Sequence, residues 1–100
     1  MPALSEYANV YNTAVLILLE KGYQVWRDEE AELFCAEKDG WDFMAESPCG
    51  LLGLVSIFEQ QSPSEYGEYW WRIKGPDKYG ELPREPRPFE PVWKRKPRQD

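Results

Sequence analysis

The chain has 100 residues, 42% hydrophobic and 15% aromatic, with 18 acidic side chains against 12 basic ones and a net charge of −6. That is the length of one small core and too aromatic for a disordered chain, and its longest apolar run falls far short of the roughly 20 residues that cross a bilayer. It has no histidine and only two cysteines, so it lacks the commonest general base, the ligands of a structural zinc site and a disulfide framework; a reducing, cytoplasmic compartment is expected.

In chain order, residues 4–21 read as an amphipathic helix. Leu4, Tyr7, Tyr11, Ala14, Val15 and Leu18 recur at helical spacing, with Pro2 or Ser5 at the start. Lys21 suits the last turn, and Gly22 suits the left-handed residue that ends a helix. Three short alternating segments follow, at 23–27, 31–37 and 41–46. Leu33 and Cys35 alternate with Phe34 and Ala36; Trp41, Phe43 and Ala45 alternate with Asp42, Met44 and Glu46. Asp28-Glu29-Glu30 and Lys38-Asp39-Gly40 are the joints. Connections this short make neighbouring strands antiparallel, which predicts a three-stranded meander.

Ser47-Pro48 is a helix start, because serine caps free amides and proline fits the first helical position. The helix it opens carries Leu51, Leu52, Leu54, Val55, Ile57 and Phe58 and is expected to be the most buried element. Gly50 and Gly53 inside it predict close approach of another backbone. Ser62-Pro63-Ser64-Glu65 repeats the start signal and predicts a short third helix, or an irregular aromatic segment, through Tyr66, Tyr69, Trp70 and Ile73. Trp70 and Trp71 cannot both face the core. Residues 76–100 hold six of the nine prolines and cannot form a regular helix or a central strand. The fold class expected is thus α+β, with a compact domain over 1–75 and a Pro-rich basic extension over 76–100 pinned in part through Phe89, Val92 and Trp93.

Charge is unevenly distributed. Residues 84–100 carry six basic and three acidic groups, whereas residues 28–46 carry eight carboxylates (Asp28, Glu29, Glu30, Glu32, Glu37, Asp39, Asp42, Glu46) and Lys38. Such a field repels nucleic acid and anionic membrane and attracts basic proteins. The run is either a solvated set of turns or a recognition surface. On the second reading Asp28, Glu29, Glu30, Glu32, Asp39 and Asp42 bind the partner, with Trp26 and Trp71 as aromatic anchors. Trp41 is an anchor if exposed and core otherwise. No phosphate loop, serine-nucleophile motif, calcium loop or cofactor-binding signature is present. Cys49, just inside a helix start, is either a reactive thiol or a small residue in a crowded turn. Cys35 reads as core.

The stretch from Trp41 to Pro48, followed by Leu51-Leu52-Gly53-Leu54-Val55 and later by Tyr69-Trp70-Trp71, resembles small acidic bacterial immunity proteins of polymorphic or type VI secretion toxins. The resemblance spans residues 7–73. It implies a stoichiometric inhibitor that covers a basic active-site cleft of a toxin, and it transfers no individual functional residue. Two other readings remain: an adaptor that self-associates through the sheet edge or the Trp70-Trp71 block, and a small carboxylate-dependent enzyme with an acidic pair in a deep pocket.

Overall fold

A computed structural model of the chain describes residues 3–95. Ser5–Arg72 forms one compact unit, and the remaining described residues, 3–4 and 73–95, form a second. The larger unit holds helix α1 (Ala8–Glu20), strands β1 (Gln24–Asp28), β2 (Leu33–Lys38) and β3 (Trp41–Ala45), and helix α2 (Pro48–Gln61). The sheet is the expected antiparallel meander, in the order β1-β2-β3. Its class, α+β, follows from helices segregated to one face of an antiparallel sheet.

Helix α1 is shorter than its periodicity predicts. Tyr7 is the N-cap and offers no side-chain capping hydrogen bond; it is exposed, as is Leu4, so no apolar packing extends the helix over its first predicted turn. The start predicted at Pro2 lies outside the described residues. The other end behaves as expected. Lys21 closes the helix, Gly22 takes φ +94°, and Lys38 Nζ donates to the Lys21 carbonyl at 2.8 Å. That bond satisfies one of the orphan carbonyls of the helix end with a cation, which the helix dipole favours. Lys21 in turn pairs with Glu59 of α2 at 3.0 Å, an exposed ion pair of small energetic weight.

The hairpin joining β2 and β3 is a two-residue turn in which Asp39 (φ 52°) and Gly40 (φ 86°) are both left-handed. This is the geometry that matches strand twist and favours an Asp-Gly dipeptide. Glu37 Oε2 fixes the turn by accepting from the Gly40 amide at 2.8 Å. The β1–β2 turn is longer than the sequence suggests and occupies 29–32. Asp28 Oδ1 accepts from the Ala31 amide, and Glu32 adopts φ 57°.

The core lies between the helices and one face of the sheet. Val25, Ala36 and Phe43 form one row across the strands, and Leu18 of α1 and Leu51 and Val55 of α2 close over it with Tyr23. Helix α2 begins as expected: Ser47 Oγ accepts from the Gly50 amide at 2.9 Å, and Pro48 is the first residue. Ser47 also bonds to the Glu6 carboxylate. At Gly50 a Cβ would stand 3.3 Å from Ala45 Cβ and Ser47 Oγ, a tight approach of side-chain atoms rather than of the backbone expected. At Gly53 a Cβ meets nothing within 4 Å. The expectation that α2 is the most buried element is also corrected, since Leu54 and Ile57 are exposed while no residue of β2 is. A three-stranded sheet is too narrow to cover more than one flank of the helix.

No third helix forms among residues 62–75. Ser62 is not an N-cap; it takes the left-handed conformation (φ 45°, ψ 55°) as the C-cap of α2. Two Gln61 Nε2 contacts, to the Trp70 and Arg72 carbonyls, and the Trp70 ring against Phe58 and Trp41 hold the irregular segment instead. In the second unit the only helical turn among the described residues is the 3-10 turn Val92–Lys94. The basic residues Lys96 and Arg98 lie outside the described residues.

Two outcomes test this packing. Gly53→Ala raises stability by about 1 kcal/mol, because it gains helix propensity without a clash; urea denaturation measures it. Tyr23 has its pKa raised above 10.0, first by burial and then by the Glu59 and Asp39 carboxylates. The folded chain therefore keeps a proton that the unfolded chain loses, so this stabilisation is full below about pH 10 and is lost as pH rises beyond it. Tyr23→Phe flattens the decline of Tm between about pH 9 and pH 11 relative to the parent.

Candidate functional site

Strand alternation sends every second residue of the sheet away from the helices. In register, Trp26, Cys35 and Met44 form one row across this outer face; Gln24, Glu37 and Asp42 form the next; Asp28 and Leu33 pair beyond the first. Neither α1 nor α2 packs here, because the core they build uses the opposite row. Trp26 and Met44 are 47% and 48% exposed, while Cys35 between them is 3% exposed. Cys35 is thus buried as expected, but on the outer face rather than in the core. A small side chain on the central strand is shielded by the larger ones on both neighbours.

The carboxylates fall at two poles instead of forming one continuous surface. Glu29, Glu30 and Glu32 stand exposed in the β1–β2 turn, with Asp28 at its base and Glu46 leaving β3 at the same end. Glu37, Asp39 and Asp42 stand at the other end of β2. The rows containing Asp28 and Asp42 are separated by four residues of β2, on the order of 13 Å at the rise of a strand. The Trp26–Cys35–Met44 stripe lies between the poles. Asp28 and Glu37 have a local explanation, since each holds a turn amide. Glu29, Glu30, Glu32, Asp39, Asp42 and Glu46 have no hydrogen bond or ion pair among the described residues, where the one ion pair is Lys21–Glu59. Ser5–Arg72 carries 13 carboxylates and four basic side chains, a net charge of −9.

The predicted anchors separate. Trp26 is on the outer face. Trp41 is half-buried and stacks within 5.1 Å of Phe58 and 5.5 Å of Trp70, so it is core. Trp70 and Trp71 divide as expected: Trp70 is half-buried against Phe43 and Phe58, and Trp71 is 48% exposed, 5.6 Å from the Arg72 guanidinium. Trp71 lies beside the free edge of β3 in a groove of about 310 Å³ and does not join the outer face. Met44 is the exposed outer-face residue that charge reasoning passed over. Its alternation with Phe43 was the available signal.

A larger hollow of about 470 Å³ is lined by Tyr23, Lys38, Asp39 and Glu59 among others. Two of its polar groups are engaged in the fold: Lys38 on the Lys21 carbonyl and Glu59 on the Lys21 amine. Among the described residues no group of three or more Cys, Asp and Glu side chains is arranged to hold a metal ion, and no helix is long and apolar enough to cross a membrane. Cys49 is half-buried in the first turn of α2.

The shielding of Cys35 is directly measurable. Trp26→Ala increases the rate of Cys35 modification by a soluble thiol reagent at least tenfold in a Cys49→Ser background; an unchanged rate means that Trp26 is not its cover.

No family model matches this chain, and neither a curated protein nor a solved structure does.

Proposed function

We propose that this chain is a protein-binding module whose outer sheet face and acidic turns engage a basic protein, most concretely as an immunity protein that covers the basic active-site cleft of a bacterial toxin. One observation carries the reading: six carboxylates without partners among the described residues stand at two poles around the exposed Trp26 and Met44. Like charges gathered this way destabilise the free protein, and a basic partner relieves that cost. Charge at the poles accelerates encounter, and the central tryptophan slows release. Stoichiometric occlusion of a toxin rests in addition on the resemblance of residues 7–73 to immunity proteins.

A second reading, a self-associating adaptor, draws on the exposed Trp71 and the free β3 edge.

The test begins with a tagged pull-down from the native lysate at low and high salt, with mass spectrometry of the retained proteins. A basic partner weakened by salt is expected. Against that purified partner, a Glu29→Lys, Glu30→Lys, Asp42→Lys variant lowers the association rate at least tenfold at low salt and leaves the dissociation rate within about threefold, as charge steering requires. Trp26→Ala does the reverse. Asp28 and Asp39 are left intact in this variant because one holds a turn amide and the other sits at φ 52°. An association rate insensitive to the triple reversal removes the charge reading.

A further inference from the structure

The sheet has a free edge at β3, the last strand in the order β1-β2-β3. The two-residue Asp39-Gly40 turn fixes which backbone groups face outward. In such a hairpin the flanking pair, Lys38 and Trp41, is hydrogen-bonded, and bonded pairs recur at every second position. Phe43 and Ala45 therefore bond inward to β2, and the N–H and C=O groups of Asp42 and Met44 point away from the sheet. No described residue hydrogen-bonds to them.

Alongside this edge lies the groove of about 310 Å³, lined by Phe43, Met44, Leu54, Ile57, Trp70 and Trp71, with Asp42 at its end. Leu54 and Ile57 are the α2 residues that the narrow sheet leaves uncovered. The apolar groove runs into a second hollow that shares Asp42 and Trp70 with it and adds Asp39 and Glu65. The edge thus offers three kinds of recognition in a line: unpaired backbone donors and acceptors, an apolar trough and a cluster of three carboxylates.

We propose that the β3 edge takes up an extended peptide segment of alternating apolar and basic residues, which adds to the sheet as a fourth strand. Main-chain bonds to Asp42 and Met44 supply the pairing. An apolar side chain of the peptide enters the trough between Ile57 and Trp71, and a Lys or Arg meets Asp39, Asp42 and Glu65. Strand addition of this kind draws affinity from the backbone and selectivity from pockets for alternate side chains. The acidic end of the groove selects a basic segment over an acidic one, and a second copy of this chain brings Asp42 and Glu46 on its own β3 instead. The inference goes beyond the outer-face reading, since it uses the edge of β3 rather than the sheet face, and main-chain pairing rather than charge steering alone.

The test uses the full chain and a short blocked peptide of alternating lysine and valine. Amide hydrogen exchange followed by NMR should show fast exchange at Asp42 and Met44 in the free protein and at least tenfold protection of both at saturating peptide. The same peptide N-methylated at every residue, which cannot donate to the edge, should bind at least tenfold more weakly, as should an alternating glutamate–valine peptide. Met44→Pro removes an edge amide that the native sheet does not use and should lower binding at least tenfold. No binding, binding without protection of Asp42 and Met44, or equal binding of the N-methylated peptide overturns the proposal. So does sedimentation showing a dimer in which these two amides are already protected.

Discussion

Phe43 is the residue on which the arrangement of the larger unit depends. Its ring makes edge contacts with Tyr23 at 6.1 Å, Phe58 at 5.5 Å and Trp70 at 6.5 Å, so one side chain of a five-residue strand joins the residue before β1, helix α2 and the irregular segment after it. Aromatic rings carry a large apolar area each and prefer such edge geometries. With Trp41 added, the cluster gives residues 66–72 a fixed path without any secondary structure. That path positions Trp71 at the β3 edge. The hydrogen bonds from Gln61 to the carbonyls of Trp70 and Arg72 then satisfy backbone groups that no helix or strand takes up.

The same cluster makes the sheet one-sided. Both helices are committed to the Val25–Ala36–Phe43 face, and the opposite face is left with Trp26, Met44 and a buried thiol between them. A half-covered antiparallel sheet ordinarily shows polar residues to water. Here a tryptophan and a methionine occupy the middle of the open face, with carboxylates confined to its two ends. Hydrophobic centre and charged rim is the anatomy of a protein interface. Asp28 and Glu37 show what a structurally employed carboxylate looks like in this chain, and the other carboxylates of the rim have no such bond among the described residues.

Charge steering and strand addition would act at different distances. The net charge of −9 on Ser5–Arg72 acts over about a Debye length, roughly 8–10 Å at physiological salt, and governs encounter. Backbone pairing at β3 acts only on contact. A partner whose basic region includes an extended apolar segment would meet both surfaces, which share Asp42 and Met44 on the same strand.

Much of this could be read in the residues. Alternation placed Phe43 and Met44 on opposite faces, Asp39-Gly40 gave the tight turn, Ser47-Pro48 gave the start of α2, and Gly22 gave the end of α1, because each rests on local sterics or local hydrogen bonding. Ser62-Pro63-Ser64-Glu65 has the same local signal, but Ser62 is already the left-handed end of α2 and the aromatic cluster holds the following residues in place; no helix forms. The division of eight clustered carboxylates into two poles, the burial of Cys35 on the outer face, the core position of Trp41 against the exposure of Trp26, and the trough between α2 and β3 depend on which strands are neighbours and which face the helices cover. Those are relations between residues far apart in the chain. Composition and periodicity determine that this chain folds, as α+β, with a strongly acidic half; only tertiary packing decides which of its aromatic and acidic side chains are left exposed.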